Sequence, residues 1–312
     1  MDLSIVTSMY NSAPFVEEFY ERISRVAKKV ADHYEIILVN DGSLDESLTI
    51  AARLCDRDSH IRVIDLSRNF GHHKALLTGL AYAKGERIFL IDCDLEEDPE
   101  LLLHFQEEFD STGADVVYGV QERRKGSLIE RIGGFLFYQC FNTFSSWKVP
   151  KNLSTVRLMS HRYVKSLLAF REREVAISGL WAMTGYLQLP LVITKRQKRV
   201  TTYNFIKKVA LTVNMLTSFT SFPLVLVFYL GCVIVFLSSI AAFWLIIRHL
   251  FFGALMTGWP SLIVSIWLLG GLGIFCIGVI GIYISKIFSE VKRRPYTIIR
   301  QVYGDGNSSK NG

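Results

Sequence analysis

The chain has 312 residues, 50% of them hydrophobic and 21% charged, and its formal net charge is +6. A mean hydropathy of +0.27 is high for so charged a chain, which indicates that apolar and charged parts are segregated. The basic residues gather beside apolar runs and do not alternate with aromatic residues, so the charge does not indicate nucleic-acid binding.

Two features bear on the cellular compartment. The chain begins Met1-Asp2-Leu3-Ser4, with neither a basic segment nor a long apolar run, so we expect no cleaved signal peptide and a first domain that stays in the cytosol. The cysteines form no CxxC pair and show no metal-ligand spacing, and we expect all of them to be reduced packing residues. They are Cys55, Cys93, Cys140, Cys232 and Cys276.

From residue 3 to about 120, short β-branched runs alternate with longer amphipathic stretches, which is typical of βαβ units around a parallel sheet. The pattern predicts strands at 3–8, 35–40, 62–66, 87–92 and 115–120, with helices at 14–31, 45–58, 72–84 and 99–111. A doubly wound, Rossmann-like α/β sheet of this kind binds ligands beyond the carboxyl ends of its strands. Polar residues that follow the strands are therefore the first candidates for a functional site.

Acidic residues follow the fourth predicted strand. In an extended segment, alternation would place the side chains of Asp92, Asp94 and Glu96 on one side, where they could converge on a hard cation. Mg²⁺ or Mn²⁺ fits such a cluster, because these ions prefer oxygen ligands and bind substrate phosphates. The alternative is a solvated acidic turn whose charges favour the N-terminus of the next helix.

Two further strand ends carry polar side chains. After the second strand, the carboxylate of Asp41, beside Gly42, could bind a base or a ribose hydroxyl, although turn chemistry alone could explain the residue. After the first strand, Tyr10 offers a ring for stacking on a base and Asn11 an amide, or the two could simply form a loop. The joint occurrence of three polar strand ends favours a binding site.

The segment 68–74, Arg-Asn-Phe-Gly-His-His-Lys, opens the third predicted helix, where free amides suit an anion. Adjacent histidines on a helix point in different directions, and no soft third ligand is near in sequence, so His72 and His73 do not indicate a metal site. Helix capping, or contact of Lys74 with an anionic ligand, is the favoured interpretation.

The middle of the chain is aromatic and basic. Residues 129–147 resemble a membrane-surface helix, although a buried core helix would carry a similar aromatic stripe. Basic residues recur from 123 to 199, and their simplest role is to meet anionic lipid headgroups. Arg124, Arg131 and Arg157 could instead neutralise a diphosphate or an acceptor phosphate.

Two apolar runs, 222–247 and 259–284, are each long enough to cross a bilayer core and contain no charged residue. Basic residues precede the first run and follow the second, whereas the connecting loop offers only Arg248 and His249. The positive-inside rule therefore predicts a two-helix transmembrane hairpin with both chain ends in the cytoplasm. We expect a cytoplasmic domain at 1–212, the two helices within 213–290, and a cytoplasmic tail at 291–312 whose end is disordered.

Together these residues resemble the polyprenyl-phosphate branch of the family 2 glycosyltransferases, which includes dolichol phosphate mannose synthases and bacterial enzymes that glycosylate undecaprenyl phosphate. The resemblance covers nearly the whole chain, and it implies that the membrane is the bacterial inner membrane and that the domain at 1–212 is catalytic. It rests on the segments 6–11, 39–43, 68–71, 91–96, 157–159 and 179–181, and on the paired C-terminal spans.

The resemblance implies a GT-A fold, inversion at the anomeric carbon, and transfer of a sugar from a UDP- or GDP-sugar to a polyprenyl phosphate in the membrane. It also implies a Mg²⁺ or Mn²⁺ ion at the Asp92 and Asp94 carboxylates. The expected donor contacts are Tyr10, Asn11, Asp41, Asp92 and Lys74, the expected catalytic residues are Asp94, Arg124, Arg131 and Arg157, and the expected metal ligands are Asp92, Asp94 and Glu96.

The chain departs from the family pattern in three places. Ser12 stands where many relatives have Glu, and Glu96 stands where Gln is frequent. Residues 152–155 read Asn-Leu-Ser-Thr where many relatives have Asp, so the role of that acid cannot be transferred. A phosphate acceptor makes such an acid less necessary, because a phosphate monoester with a second pKa near 6 is mostly deprotonated at neutral pH and attacks without a general base.

Two rival hypotheses stay open. One is a family 2 transferase that acts on a sugar hydroxyl of a glycolipid or polysaccharide, which needs a base such as Glu172 or Glu174. The other is a non-catalytic membrane scaffold, against which the intact acidic pair argues. The sequence does not decide the sugar, the prenol length, or whether the chain forms a homo-oligomer.

Overall fold

The computed structural model describes residues 1–121, 152–170, 177–195 and 258–304, together with separate positions between 224 and 251. The described residues belong to two compact units. One contains the residues up to 195 together with 294–304, and the other contains residues 258–293.

The first unit is built on an eight-stranded sheet with the order β7-β5-β6-β4-β1-β2-β3-β8. Strands β1 to β5 and β7 share one direction, whereas β6 and β8 run antiparallel to their neighbours. The strands are β1 Leu3–Met9, β2 Tyr34–Asn40, β3 Ile61–Leu66, β4 Arg87–Leu90, β5 Val116–Gln121, β6 Leu153–Ser160, β7 Gln188–Ile193 and β8 Ile299–Tyr303. The mostly parallel, Rossmann-like α/β sheet confirms the predicted fold class.

Helices cover both faces of this sheet. In the first unit they are α1 Ala13–Val30, α2 Ser47–Arg57, α3 His72–Tyr82, α4 Leu101–Thr112, α5 His161–Ala169 and α6 Ile177–Met183. The first four helices match the predicted ones to within two residues at both ends of each helix. Along β2, Ile36 and Leu38 join the core cluster under α1, α2 and α4, whereas Ile37 and Val39 join the cluster under α3 and α5. Burial on both faces explains why this strand is a continuous apolar run.

Three strands were not expected from the sequence. Strand β6 inserts antiparallel between β4 and β5, and β7 extends that edge in parallel with β5. Strand β8 lies in the predicted tail and pairs antiparallel with β3. Residues 299–303 of the predicted tail are therefore an edge strand of this sheet.

The second unit contains the long apolar helix α7, Trp259–Val291. Its stretch Leu269–Val291 has a mean hydropathy of 2.0, and in the part of the chain that the structure describes it is the one helix long and apolar enough to cross a membrane. Large apolar side chains such as Ile274 and Ile277 are exposed on it, as expected for a lipid-facing surface. The span predicted at 222–247 is described only at separate positions, which are helical, and the predicted surface helix at 129–147 lies outside the described residues.

Candidate active site

The loops after β1 and β2 lock together at the carboxyl edge of the sheet. Asn11 has a left-handed backbone with φ 51°, its amide accepts a hydrogen bond of 2.9 Å from Leu44 N, and its own N–H donates to Ser43 Oγ at 3.1 Å. The N–H of Ser12 donates to Ser47 Oγ at 2.8 Å. The ring of Tyr10 stays 48% exposed beside these locked loops, so it remains accessible to a ligand.

Asp41 holds the loop that precedes α3. One carboxylate oxygen accepts the N–H of Phe70 at 2.7 Å, the other accepts the N–H of Gly71 at 3.0 Å, and the residue is buried. Burial raises the pKa of this carboxyl group, and the two backbone hydrogen bonds oppose that shift. Asp41 therefore shapes the loop in this structure, and its contact with a nucleotide stays a prediction.

Gly42 allows this loop to approach closely. Its φ is +68°, and a Cβ atom at this position would lie 2.4 Å from the backbone nitrogen of Asn69. Both the left-handed backbone and the missing side chain are thus required by the turn.

His72, the first residue of α3, lies between two strand ends. Its Nδ1 is 2.9 Å from Ser8 Oγ at the end of β1, and its Nε2 is 3.4 Å from Asp92 Oδ1. Burial lowers the pKa of the imidazole, although the carboxylates of Asp41 and Asp94 act in the opposite direction. The sequence singled out this helix start, and the structure brings it to the acidic residues.

The acidic residues lie on a turn, not on an extended segment. Strand β4 ends at Leu90, two residues earlier than predicted, and Leu95 has a φ of 58°. The N–H of Glu96 donates to Asp94 Oδ1 at 3.1 Å, which closes the turn. The expectation of an extended segment is therefore wrong at Leu95, whose left-handed backbone interrupts the alternation between Asp94 and Glu96. That Asp92, Asp94 and Glu96 bind one cation stays a prediction. The charges of Asp94 and Glu96 nevertheless act on Asp92.

The carboxyl group of Asp92 has a raised pKa and one oxygen that makes no hydrogen bond. The pKa of Asp92 is raised to about 6, first by burial and second by the charge of Asp94. The charge of Lys195 and a hydrogen bond from Thr155 act to lower this pKa. The Oδ1 of Asp92 is buried without a hydrogen-bond partner. Within the described ranges no three His, Cys, Asp or Glu side chains already form a metal-binding group. Two carboxylates with an unsatisfied oxygen still fit a Mg²⁺ or Mn²⁺ ion that takes its other ligands from a diphosphate and water.

Residues 4–163 of the chain match the family described as "Glycosyl transferase family 2". The chain belongs to the family 2 glycosyltransferases. Relatives match over nearly the full length. A protein named "Putative glycosyltransferases" from Mycobacterium tuberculosis is 53% identical over 97% of this chain and 89% of its own length.

Relatives in the enteric bacteria carry a more specific name. The "SfII prophage-derived bactoprenol glucosyl transferase" of Shigella flexneri is 33% identical over 96% of this chain and 98% of its own length. The "Prophage bactoprenol glucosyl transferase homolog" of Escherichia coli is 32% identical over 97% of this chain and 99% of its own. This glycosyltransferase therefore resembles such proteins across the sheet and the apolar C-terminal region alike, and the predicted family resemblance is confirmed.

Arg157 of this glycosyltransferase is a buried side chain. It is 1% exposed, its Nε donates to Thr155 O and its Nη2 to Ser154 O, both at 3.2 Å, and its guanidinium stacks over the ring of Trp181. Burial lowers its pKa to about 9. These contacts make it an internal brace of β6 in this structure, and a contact with an acceptor phosphate stays a prediction.

Of the three remaining predicted site residues, the structure describes one. Lys74 lies in the first turn of α3, and its N–H donates to Gly71 O at 3.0 Å. Arg124 and Arg131 lie outside the described residues.

The sequence predicts contact with lipid headgroups for the basic residues from 123 to 199, but the structure places Lys195, one of them, beside the acidic turn. Its Nζ lies 2.9 Å from Glu97 Oε1 and 3.8 Å from Glu96 Oε2. Ser154 Oγ also donates to Glu97 Oε1. Neither Glu97 nor Lys195 stood out in the sequence, because no local spacing relates a residue after β7 to a turn after β4.

Proposed function

We propose that this glycosyltransferase moves a sugar from a UDP- or GDP-sugar onto a polyprenyl phosphate, with inversion at the anomeric carbon. The observation that carries the proposal is the similarity to proteins named bactoprenol glucosyl transferase over at least 96% of the chain, including its apolar C-terminal region. A lipid acceptor also explains why a catalytic domain would carry so long an apolar helix.

On the donor side, the exposed ring of Tyr10 stacks on the base, and Asn11 and Asp41 shape the pocket around the nucleotide. Asp92, Asp94 and Glu96 serve as the ligands of a Mg²⁺ or Mn²⁺ ion, with Lys74 near the donor. The unsatisfied Oδ1 of Asp92 supports this assignment. When bound, the ion supplies Lewis-acid stabilisation of the departing nucleoside diphosphate. Arg124 and Arg131 contribute positive charge to the same diphosphate or to the acceptor phosphate.

The acceptor phosphate is the nucleophile, and it needs no general base. A phosphate monoester is mostly a dianion at neutral pH, so the protein needs to align it and does not need to deprotonate it. Two buried carboxylates near the site are already engaged, Asp41 by two backbone N–H groups and Glu97 by Ser154 and Lys195, so neither is a free base. The segment 152–155, which lacks the family's Asp, instead directs the hydroxyls of Ser154 and Thr155 at the acidic turn.

The return of the chain to the sheet supports a two-span hairpin. Strands β1 to β7 precede the apolar region, and β8, which follows α7, pairs with β3 of the same sheet. This pairing supports an even number of membrane crossings, because the segments before and after the apolar region belong to the same sheet. With α7 as one crossing, we place the second in the apolar run 222–247.

Fusion reporters test this topology. A periplasm-active phosphatase fused after residue 253 should be active, whereas the same enzyme fused after Gly312 should be inactive and a fluorescent cytoplasmic reporter there should be bright. Equal phosphatase activity at both positions would contradict the hairpin.

The activity is tested on membranes that contain the overproduced chain. They are incubated with undecaprenyl phosphate and a panel of radiolabelled UDP- and GDP-sugars, with EDTA, and with EDTA plus excess Mn²⁺. We expect one sugar to enter the lipid fraction, EDTA to stop transfer, and Mn²⁺ to restore it. Transfer only to an added glycolipid or polysaccharide would favour the hydroxyl-acceptor alternative, and no transfer to any acceptor would favour a scaffold.

A further inference from the structure

Glu97 is a carboxylate buried inside the acidic turn. Its side chain has no exposed surface, although it lies one residue from Glu96 and three from Asp94. Burial raises the pKa of this carboxyl group, and Lys195 opposes that shift. A buried carboxylate is costly unless a cation and hydrogen bonds compensate it. The turn can therefore fold inward at Glu97 only because compensating partners meet it there.

The compensating partners come from two other strands. Ser154, on β6, donates its hydroxyl to Glu97 Oε1, and Lys195, two residues after β7, places its ammonium 2.9 Å from the same oxygen. In the sheet order, β7, β5, β6 and β4 are consecutive neighbours. The pair thus ties the turn after β4 to the far edge of the sheet.

The charge of Lys195 reaches the rest of the turn. Its Nζ lies 3.8 Å from Glu96 Oε2, and its side chain is 21% exposed. One ammonium therefore lies beside two carboxylates of the turn, those of Glu96 and Glu97.

We propose that Lys195 is a positioning residue, which holds Glu97 and thereby fixes the backbone that presents Asp92 and Asp94 to the cation of the donor complex. This inference rests on the proposed function for the identity of that cation. In it, Lys195 contacts neither the donor nor the ion.

The direction in which divalent-cation binding changes when Lys195 is replaced separates this positioning role from a purely electrostatic one. If Lys195 only added positive charge, its removal would make the turn more negative and tighten the binding of a divalent cation. If Lys195 holds the turn, its removal leaves Glu97 buried without a cation, the turn moves, and cation binding weakens. Direct contact between Lys195 and the donor diphosphate would leave cation binding in the absence of donor nearly unchanged.

The experiment measures Mn²⁺ binding to the purified full-length chain in detergent, by the loss of the free-Mn²⁺ paramagnetic resonance signal, with neither donor nor acceptor present. The variants are Lys195→Met, Lys195→Arg, Glu97→Gln and the double variant Lys195→Met with Glu97→Gln. Lys165→Met is the matched control, because Lys165 is exposed on α5, away from the turn. Apparent unfolding midpoints are recorded for every protein.

We expect Lys195→Met to weaken Mn²⁺ binding about tenfold and to lower the unfolding midpoint by about 10 °C, as for the loss of one partner of a buried ion pair. The double variant should bind Mn²⁺ within about threefold of the wild type, since a Gln side chain can still bond Ser154 without needing a cation. Mn²⁺ binding by Lys195→Arg should lie between that of Lys195→Met and that of the wild type. Lys165→Met should bind Mn²⁺ as the wild type does.

Tighter or unchanged Mn²⁺ binding by folded Lys195→Met would overturn the proposal, as would a double variant no better than the single one. A wild-type chain that binds Mn²⁺ but transfers no sugar would defeat the proposed function and leave the positioning role standing. A wild-type chain that takes up no Mn²⁺ in the absence of donor would overturn the positioning proposal, whereas the proposed function is decided by the transfer assay with its EDTA and Mn²⁺ arms.

Discussion

The guanidinium Nε of Arg300 lies 3.3 Å from Oδ2 of Asp65, a carboxylate with no exposed surface in β3. The other oxygen of Asp65 accepts a hydrogen bond of 2.8 Å from Asn40, the residue before Asp41. The Nη2 of Arg300 also donates to the carbonyls of Leu66 and Ser67, at the start of the loop that Asp41 holds. A residue from the end of the chain thus braces the donor side of the site.

Replacing Arg300 by Met should destabilise the catalytic unit, because Asn40 would be the one partner left to Asp65 among the described residues. Arg300 is half exposed, so we expect a loss of about 1–2 kcal/mol, well below that for a fully buried pair. The unfolding midpoint in detergent should fall by about 4 °C. Combining Arg300→Met with Asp65→Asn should cost less than the sum of the two changes, and strictly additive losses would show that the pair does not interact.

Asp94→Ala should abolish metal-dependent sugar transfer, because it removes a carboxylate beside Asp92 on the acidic turn. A loss of at least about 100-fold is expected for a group that binds the catalytic ion. Membrane insertion should be unchanged, and Asp56→Asn, on the exposed side of α2, is the matched control. Full turnover by Asp94→Ala with undecaprenyl phosphate would remove the proposed metal site.

Arg157→Met should lower stability as well as activity, because the guanidinium braces two backbone carbonyls and stacks on Trp181. The lost hydrogen bonds and cation–π contact are worth about 2–4 kcal/mol together. Arg157→Lys should not restore stability, since an ammonium cannot reproduce the planar stack. A variant that unfolds at the wild-type temperature but has lost transfer would instead support direct contact between Arg157 and the acceptor.

The ion pair between Arg162 and Asp115 makes a contribution to stability that depends on pH. Burial alone would raise the pKa of the Asp115 carboxyl, but hydrogen bonds from Arg162 and Ser160 outweigh it and hold the pKa below its ordinary value of 3.8. A depressed native pKa stabilises the fold above the unfolded pKa, and this contribution is lost as the pH falls through the native value. Arg162→Gln should therefore lower the unfolding midpoint at pH 7 and pH 5 alike.

The difference between Arg162→Gln and the wild type should begin to shrink only below about pH 4, the ordinary range of an Asp carboxyl. Midpoints measured from pH 7 to pH 3 check this course. A difference that grows as the pH falls would contradict the assigned sign.

Sequence patterns alone predicted the parallel half of the sheet, because βαβ units are local: each apolar strand and its amphipathic helix lie next to one another in the chain. The same locality identified the polar strand ends at Tyr10, Asp41 and Asp92. It also identified α7, since about 20 apolar residues in a row need no tertiary partner to be recognised.

Tertiary structure alone decided how those residues are arranged. The acidic segment after β4 turns at Leu95, so period-two alternation did not apply, and Glu97 rather than Glu96 became the buried carboxylate. Lys195, two residues after β7, pairs with Glu97, about 100 residues earlier in the chain. Arg300, in β8, pairs with Asp65, about 235 residues earlier. Such pairings depend on which strands become neighbours in the sheet, and no short-range pattern in a single sequence encodes that choice.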